Sequence, residues 1–231
     1  PVAGYFYRTN VVTKSEALMN NLDIVYYAFA NVSSNGAVSI EGVVNFNKLM
    51  EEANYLRQNG IRIVLSIAGG ADNFSSACRN IGYAKLADNI IELIKEYHLD
   101  GVDIDWESVS ESVKVNATGM NNLMKDLREE MTSRQAVGGT PYFLSAAVPA
   151  SSWGTASDRF DFVTLDKYVD YINIMSYDMN KTDTTTHLSP LYKSSYDRGY
   201  GFGCDYGVTR LTSLGLSLIH ISEPTRHSLI S

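Results

Sequence analysis

The sequence predicts an α/β fold organised on a parallel sheet, and three observations carry that reading. Short runs rich in β-branched and aromatic residues recur from Val2 to Tyr177. Stretches with the apolar spacing of an amphipathic helix separate most of them. The 231 residues are 45% hydrophobic and 19% charged, enough apolar material for one large α/β domain or most of a barrel. Strand–helix alternation at this spacing calls for right-handed crossovers between parallel strands. It leaves two architectures open, a doubly wound sheet and a (β/α)8 barrel.

In chain order, Val2–Tyr7 is the first strand, and Ile24–Ala30, reading Ile-Val-Tyr-Tyr-Ala-Phe-Ala, is the second. Phe46, Leu49, Met50, Ala53 and Leu56 repeat at helical spacing, so Phe46–Gln58 is a helix that stops at Asn59-Gly60. Ile61–Ile67 is the third strand. Leu86, Ile90, Leu93, Ile94 and Tyr97 share one face of a helix over Tyr83–Tyr97. Asp100–Glu107 is the fourth strand. Met120, Leu123, Met124, Leu127 and Met131 define a helix over Ala117–Met131. Tyr142–Val148 and Tyr171–Tyr177 are the fifth and sixth strands, with a short helix, Phe160–Tyr168, between them. Asp205–Leu214 is a last helix.

The fourth strand holds the chemistry. It reads Asp100-Gly101-Val102-Asp103-Ile104-Asp105-Trp106-Glu107. With a period of two, Asp103, Asp105 and Glu107 share one face, and Val102, Ile104 and Trp106 share the other. Asp100 has the opposite parity and marks the start of the strand. A row of like charges inside a fold is costly. A solvated acidic face does not suit a strand whose other face is wholly apolar. A calcium loop needs a glycine turn and polar spacers, where this run has Val, Ile and Trp. A phosphatase-type pair of aspartates lacks phosphate-binding partners nearby. All these candidates lie at C-terminal ends of strands, as they do in barrels.

Asp100, Asp103, Asp105 and Glu107 together resemble the D-x-x-D-x-D-x-E signature of family 18 glycoside hydrolases, the chitinases and endo-β-N-acetylglucosaminidases. The resemblance covers Val2 to Gly215 and implies a (β/α)8 TIM barrel, here incomplete: about six strand–helix units, with strands seven and eight missing. It implies a retaining hydrolase of β-1,4-linked N-acetylglucosamine in which the sugar's own N-acetyl oxygen attacks the anomeric carbon. Glu107, last on the strand, is then the general acid, Asp105 orients the acetamido group, and Asp103 shares a proton with Asp105. Asp100 is structural. Met175-Ser176-Tyr177-Asp178 resembles the family's M-x-Y-D: Tyr177 donates to the acetamido oxygen, Asp178 binds the sugar and Met175 shapes the pocket. Ser66-Ile67-Ala68-Gly69-Gly70 resembles S-x-G-G with Ala68 at the first glycine; Ser66 then hydrogen-bonds the inner aspartate, a tight turn being an equal reading. Tyr5 is the strand-one candidate to reach Asp103, ahead of Tyr7, and Phe29 is a candidate to line the pocket; plain core is an equal reading for both. Trp106 has outward parity and packs against helices. Trp153, Tyr192, Tyr196, Tyr200 and Phe202 are candidate stacking platforms. The resemblance implies no cofactor, no metal and a monomer acting on an N-acetylglucosamine-containing polysaccharide or glycan. An N-glycan-releasing enzyme and a non-catalytic chitin-binding lectin are the alternatives; a lectin typically lacks the final Glu. A metal-dependent hydrolase is a third.

The formal charge of −7 argues against nucleic acid and suits a neutral or cationic ligand. No apolar run is long enough to span a membrane. A secreted or cell-surface location is expected, with no leader visible before Pro1-Val2-Ala3. Cys78 and Cys204 are expected to be free thiols. After Gly215 the text changes character: Leu216–Arg226 reads as the translation of a transposase-type sequencing adapter. The expectation is therefore a partial catalytic barrel over residues 1–215 and a non-native tail over 216–231, with the 231-residue chain itself inactive.

Overall fold

The computed structural model describes residues 2–7, 21–40, 53–107, 117–134, 139–150, 160–179, 187–193 and 203–222. Their strands are β1 (Ala3–Tyr7), β2 (Ile24–Val32), β3 (Val38–Ser39), β4 (Arg62–Gly70), β5 (Gly101–Glu107), β6 (Phe143–Pro149), β7 (Tyr171–Met175) and β8 (Ile221–Ser222). One sheet runs β1-β2-β4-β5-β6-β7-β8, every neighbour parallel, with β3 folded back antiparallel on β2. The helices are α1 (Ala71–Ile81), α2 (Tyr83–Glu96), α3 (Ala117–Ser133), α4 (Phe162–Leu165) and α5 (Cys204–Ser213), and residues 53–58 are also helical. This is an incomplete (β/α)8 barrel, and the doubly wound alternative falls away.

Two apolar clusters follow from the strand period. The larger lies between sheet and helices and takes Val102, Ile104 and Trp106 from β5, Ile90 and Ile94 from α2, and Leu123 and Leu127 from α3. The smaller fills the concave side of the sheet with Ala3, Ile24, Tyr26, Val64 and Phe143, and with Tyr5 and Tyr171 packed against them. β5 is covered on both faces, so every residue from Gly101 to Trp106 is buried and only Glu107 is exposed. Gly101 is there for closeness: a Cβ would stand 2.0 Å from the Phe143 carbonyl oxygen on β6.

The N-terminal ends of alternate strands are clamped by aspartates. Asp23 accepts the Val2 N–H at 2.6 Å, Asp100 the Ile63 N–H at 2.8 Å, and Asp170 the Leu144 N–H at 2.8 Å. Two of the clamps add an arginine from a preceding helix. Arg57 donates to Asp100 at 2.9 Å and also to the His98 carbonyl. Arg128 donates to Asp170 and to the Tyr168 carbonyl, both at 2.7 Å. Each arginine thus grips an aspartate and the carbonyl two residues before it.

Several elements differ from expectation. Helix α1 follows directly on Gly70, where only a turn was read. Its text is largely polar, and among its described side chains Phe74, Ala77 and Cys78 are buried in the core with Ile81 packed against it. Phe160–Tyr168 shortens to the single turn α4, capped by the Asp161 side chain accepting the Thr164 N–H. β7 stops at Met175, leaving Tyr177 and Asp178 beyond the last paired residue. Residues 46–52 of the first expected helix lie outside the described residues. The edge of the sixth expected strand is not bare: Ile221 and Ser222 pair with Ile172 and Asn173. Leu216 is buried in the larger cluster, and Asp166 receives the Ser217 N–H and faces His220 Nδ1, both at 2.9 Å.

Candidate active site

The register of four strands brings one carboxylate into a closed cage. Ser66 on β4 and Ser145 on β6 both sit directly opposite Asp103. The Tyr5 hydroxyl donates to Asp103 Oδ2 at 2.7 Å and Ser66 Oγ to the same oxygen at 2.8 Å. Ser145 Oγ donates to Oδ1 at 2.7 Å and Asn173 Nδ2 to Oδ1 at 3.1 Å. Asp103 is fully buried, and its partners are all neutral. Burial pushes its pKa above the usual carboxylate range, against the pull of its four donors. Burial also pushes the Tyr5 hydroxyl well above the usual tyrosine range, and the Asp103 charge adds to it.

Asp105 lies one step toward the mouth and is treated differently. It hydrogen-bonds Glu107, while its Oδ1 is buried with no partner. Burial first, then the charges of Glu107 and Asp103, hold its pKa well above the ordinary range. No hydrogen bond joins Asp103 to Asp105 among the described residues. The cage donors occupy Asp103, and Asp105 hydrogen-bonds Glu107 while still feeling the Asp103 charge. Of the three acids, Glu107 alone reaches solvent.

The other candidates arrange around this line. Tyr177 and Asp178 follow the C-terminal end of β7, the end of the parallel sheet at which Glu107 also lies; Tyr177 is half-buried and Asp178 exposed, in a left-handed backbone conformation with φ 54°. Met175 is half-buried at the strand end, in register with Pro149. Phe29 is half-buried where the β2–β4 register slips between Ala28 and Ala30, a bulge position. Trp106 is buried on the opposite face and stacks on Phe74 of α1 at 5.0 Å. Tyr192 is exposed, while Trp153, Tyr196, Tyr200 and Phe202 lie outside the described residues. Cys78 and Cys204 are buried and not joined in a disulfide, and burial pushes the Cys78 thiol up to about 11.

Sequence reading missed Ser145 and Asn173, and Tyr26, which stacks on Tyr5 at 4.5 Å. The signal existed. Ser145 and Asn173 are single polar residues inside apolar strands, and Asn173 shares parity with Met175 and Tyr177. A cleft of about 590 Å³ at the other end of the sheet, bordered by Asp23, Arg62, Asp170 and His220, contains none of these acids. Among the described residues no helix is long and apolar enough to cross a membrane, and no group of three or more His, Cys, Asp or Glu is placed to hold a metal ion.

The model of the family described as "Glycosyl hydrolases family 18" matches residues 1–221. The chain belongs to glycosyl hydrolase family 18. This family 18 chain is 26% identical over 212 residues to Endochitinase 1 of Metarhizium anisopliae, covering 80% of this chain and 49% of that one. It thus spans about half the length of that relative. In solved structures, a family 18 N-acetylglucosaminidase from Paenibacillus barengoltzii superposes with TM-score 0.80 at 23% identity, over 96% of this chain and 67% of that one. A human pseudo-chitinase described as retaining chitooligosaccharide binding superposes with TM-score 0.75 at 22% identity, over 95% and 64%.

Proposed function

We propose that this family 18 chain belongs to a retaining hydrolase of β-1,4-linked N-acetylglucosamine chains. The observation that carries the reading is the graded line of acids on β5: Asp103 caged, Asp105 buried with one oxygen unpartnered, Glu107 exposed. Bound sugar meets Glu107 first. Its proton passes to the glycosidic oxygen as the bond to the anomeric carbon breaks, and the sugar's acetamido oxygen closes onto that carbon. Most glycosidases use a second carboxylate as nucleophile or base; substrate assistance is the recognised exception. The unpartnered Asp105 Oδ1 suits the acetamido N–H, whose acidity rises as the ring takes up positive charge. Water then opens the oxazolinium ion from the vacated side, returning its proton to Glu107, so configuration is retained. Tyr177 is proposed as donor to the acetamido oxygen, with Asp178 and Met175 beside the sugar and Phe29 lining the pocket.

Glu107→Gln tests this. In the longer parent protein, hydrolysis of chitooligosaccharide should fall by about 10²–10⁴-fold with binding kept; unchanged turnover would reject the acid assignment. A protein that binds chitooligosaccharide and never cleaves it would instead fit the second reading, a lectin; a protein described as a pseudo-chitinase shares the fold. Cleavage of N-glycans in place of chitooligosaccharides would move the substrate within the same chemistry. We further propose that residues 216–231 derive from adapter sequence and that the 231-residue chain is inactive alone. Sequencing the source gene across Gly215 checks the first point, and assaying the longer product beside this chain checks the second.

A further inference from the structure

Asn173 makes a fork. Its Nδ2 group reaches Tyr5 Oη at 2.8 Å and Asp103 Oδ1 at 3.1 Å, so one amide supplies a proton to each. The Tyr5 hydroxyl has one proton. By accepting from Asn173 it keeps that proton for Asp103 Oδ2. The amide orientation has a cost, since Asn173 Oδ1 is left buried without a partner. A purely structural asparagine in a strand interior would be expected to satisfy both ends. Here the acceptor end goes unpaired while the donor end faces the carboxylate and its tyrosine.

We propose that Asn173 is a positioning residue: it orients the Tyr5 hydroxyl and, with Ser66 and Ser145, holds Asp103 as a carboxylate that accepts from four donors. An Asp103 so held has no oxygen to spare for Asp105, which turns to Glu107. The proposal deepens the hydrolase reading, but its test does not depend on turnover. The titratable groups around Asp103 are Tyr5 on β1, Tyr26 on β2 and Asp105 on β5 itself; β4, β6 and β7 present the neutral Ser66, Ser145 and Asn173.

The experiment is a carboxyl-carbon NMR titration of the full chain labelled at aspartate, with the Asp103 signal assigned by its loss in Asp103→Asn. Asn173→Leu preserves approximate volume and removes both donors. The Asp103 midpoint should rise by about one pH unit or more, as expected for losing a hydrogen bond to a charged group. Tyr5→Phe should raise it too, and Asn173→Leu in the Tyr5→Phe background should add less than it does alone, because the two act along one path. A folded Asn173→Leu chain with an unmoved midpoint overturns the proposal, and so does full additivity. If Asn173→Leu does not fold, the isosteric Asn173→Asp serves: oxygens facing Asp103 where donors stood must raise its midpoint, and an unmoved one overturns the proposal equally. Failure of Glu107→Gln to stop hydrolysis would sink the catalytic reading while leaving this titration as it stands.

Discussion

The two ends of β5 handle buried carboxylates in opposite ways. At the N-terminal end, Asp100 meets a guanidinium, Arg57 at 2.9 Å, and a backbone N–H, Ile63 at 2.8 Å. Three residues on, Asp103 meets only neutral donors, and two further on Asp105 meets another acid. One end pairs its charge; the other accumulates charge without a countercharge. Paired charges hold strands together, and Asp170 with Arg128 repeats the pattern between β6 and β7. Unpaired ones have raised pKa values, Asp103 through burial and Asp105 through burial and then its acidic neighbours. Barrel folds divide labour in this way between their stability face and their active face.

The contrast can be broken at either end. The largest effect expected is the Glu107→Gln loss of hydrolysis, with thermal stability nearly unchanged because that side chain is exposed. Asp100→Ala should do the reverse. It leaves Arg57 and the Ile63 N–H without their acceptor and should cost about 3 kcal/mol or more in urea unfolding, with the pH dependence of activity in the longer parent unmoved. A shifted pH profile in Asp100→Ala would show that the two ends are not separate. Asp105→Asn sharpens the comparison through pH. The folded pKa of Asp105 is raised, so its ionisation penalises folding. That penalty is absent below the unfolded value of about 4, grows as pH rises from there to the folded value, and is complete above it. Melting curves should therefore show Asp105→Asn matching the parent near pH 3 and exceeding it at pH 7; equal melting at both would place the cost elsewhere. The smallest effect belongs to Arg128→Met, whose partner Asp170 is 41% exposed at its side chain. About 1 kcal/mol is expected there, readable as a small fall in the urea midpoint.

Much of this site was legible. The parity of Asp103, Asp105 and Glu107 against Val102, Ile104 and Trp106 needs only the strand period, and those three apolar residues do share the cluster between sheet and helices. Ser66 could be named from the resemblance to S-x-G-G, and Tyr5 from its Gly-Tyr-Phe setting on the first strand. The residues that went unread needed neighbours. Ser145 stands opposite Asp103 only because β6 pairs with β5 in one register. Arg57 and Arg128 look like solvated helix positions until the next strand's aspartate is placed beneath them. Helix α1 stayed hidden because its text is largely polar, and Phe74, Ala77, Cys78 and Ile81 are too sparse for a periodic signal.

What the linear text settled by itself was local: which stretches are strands or helices, which side of β5 carries acid, and which end of it is last. Those properties depend on spacing of a few residues along one backbone. Which donors converge on Asp103 was a matter for the folded chain alone. Asn173 and Tyr5 are 168 positions apart, and their meeting depends on the stagger of every strand between β1 and β7. A one-residue slip in any of those pairings would turn a cage residue to the opposite face, so the pKa of Asp103 is a property of the whole sheet.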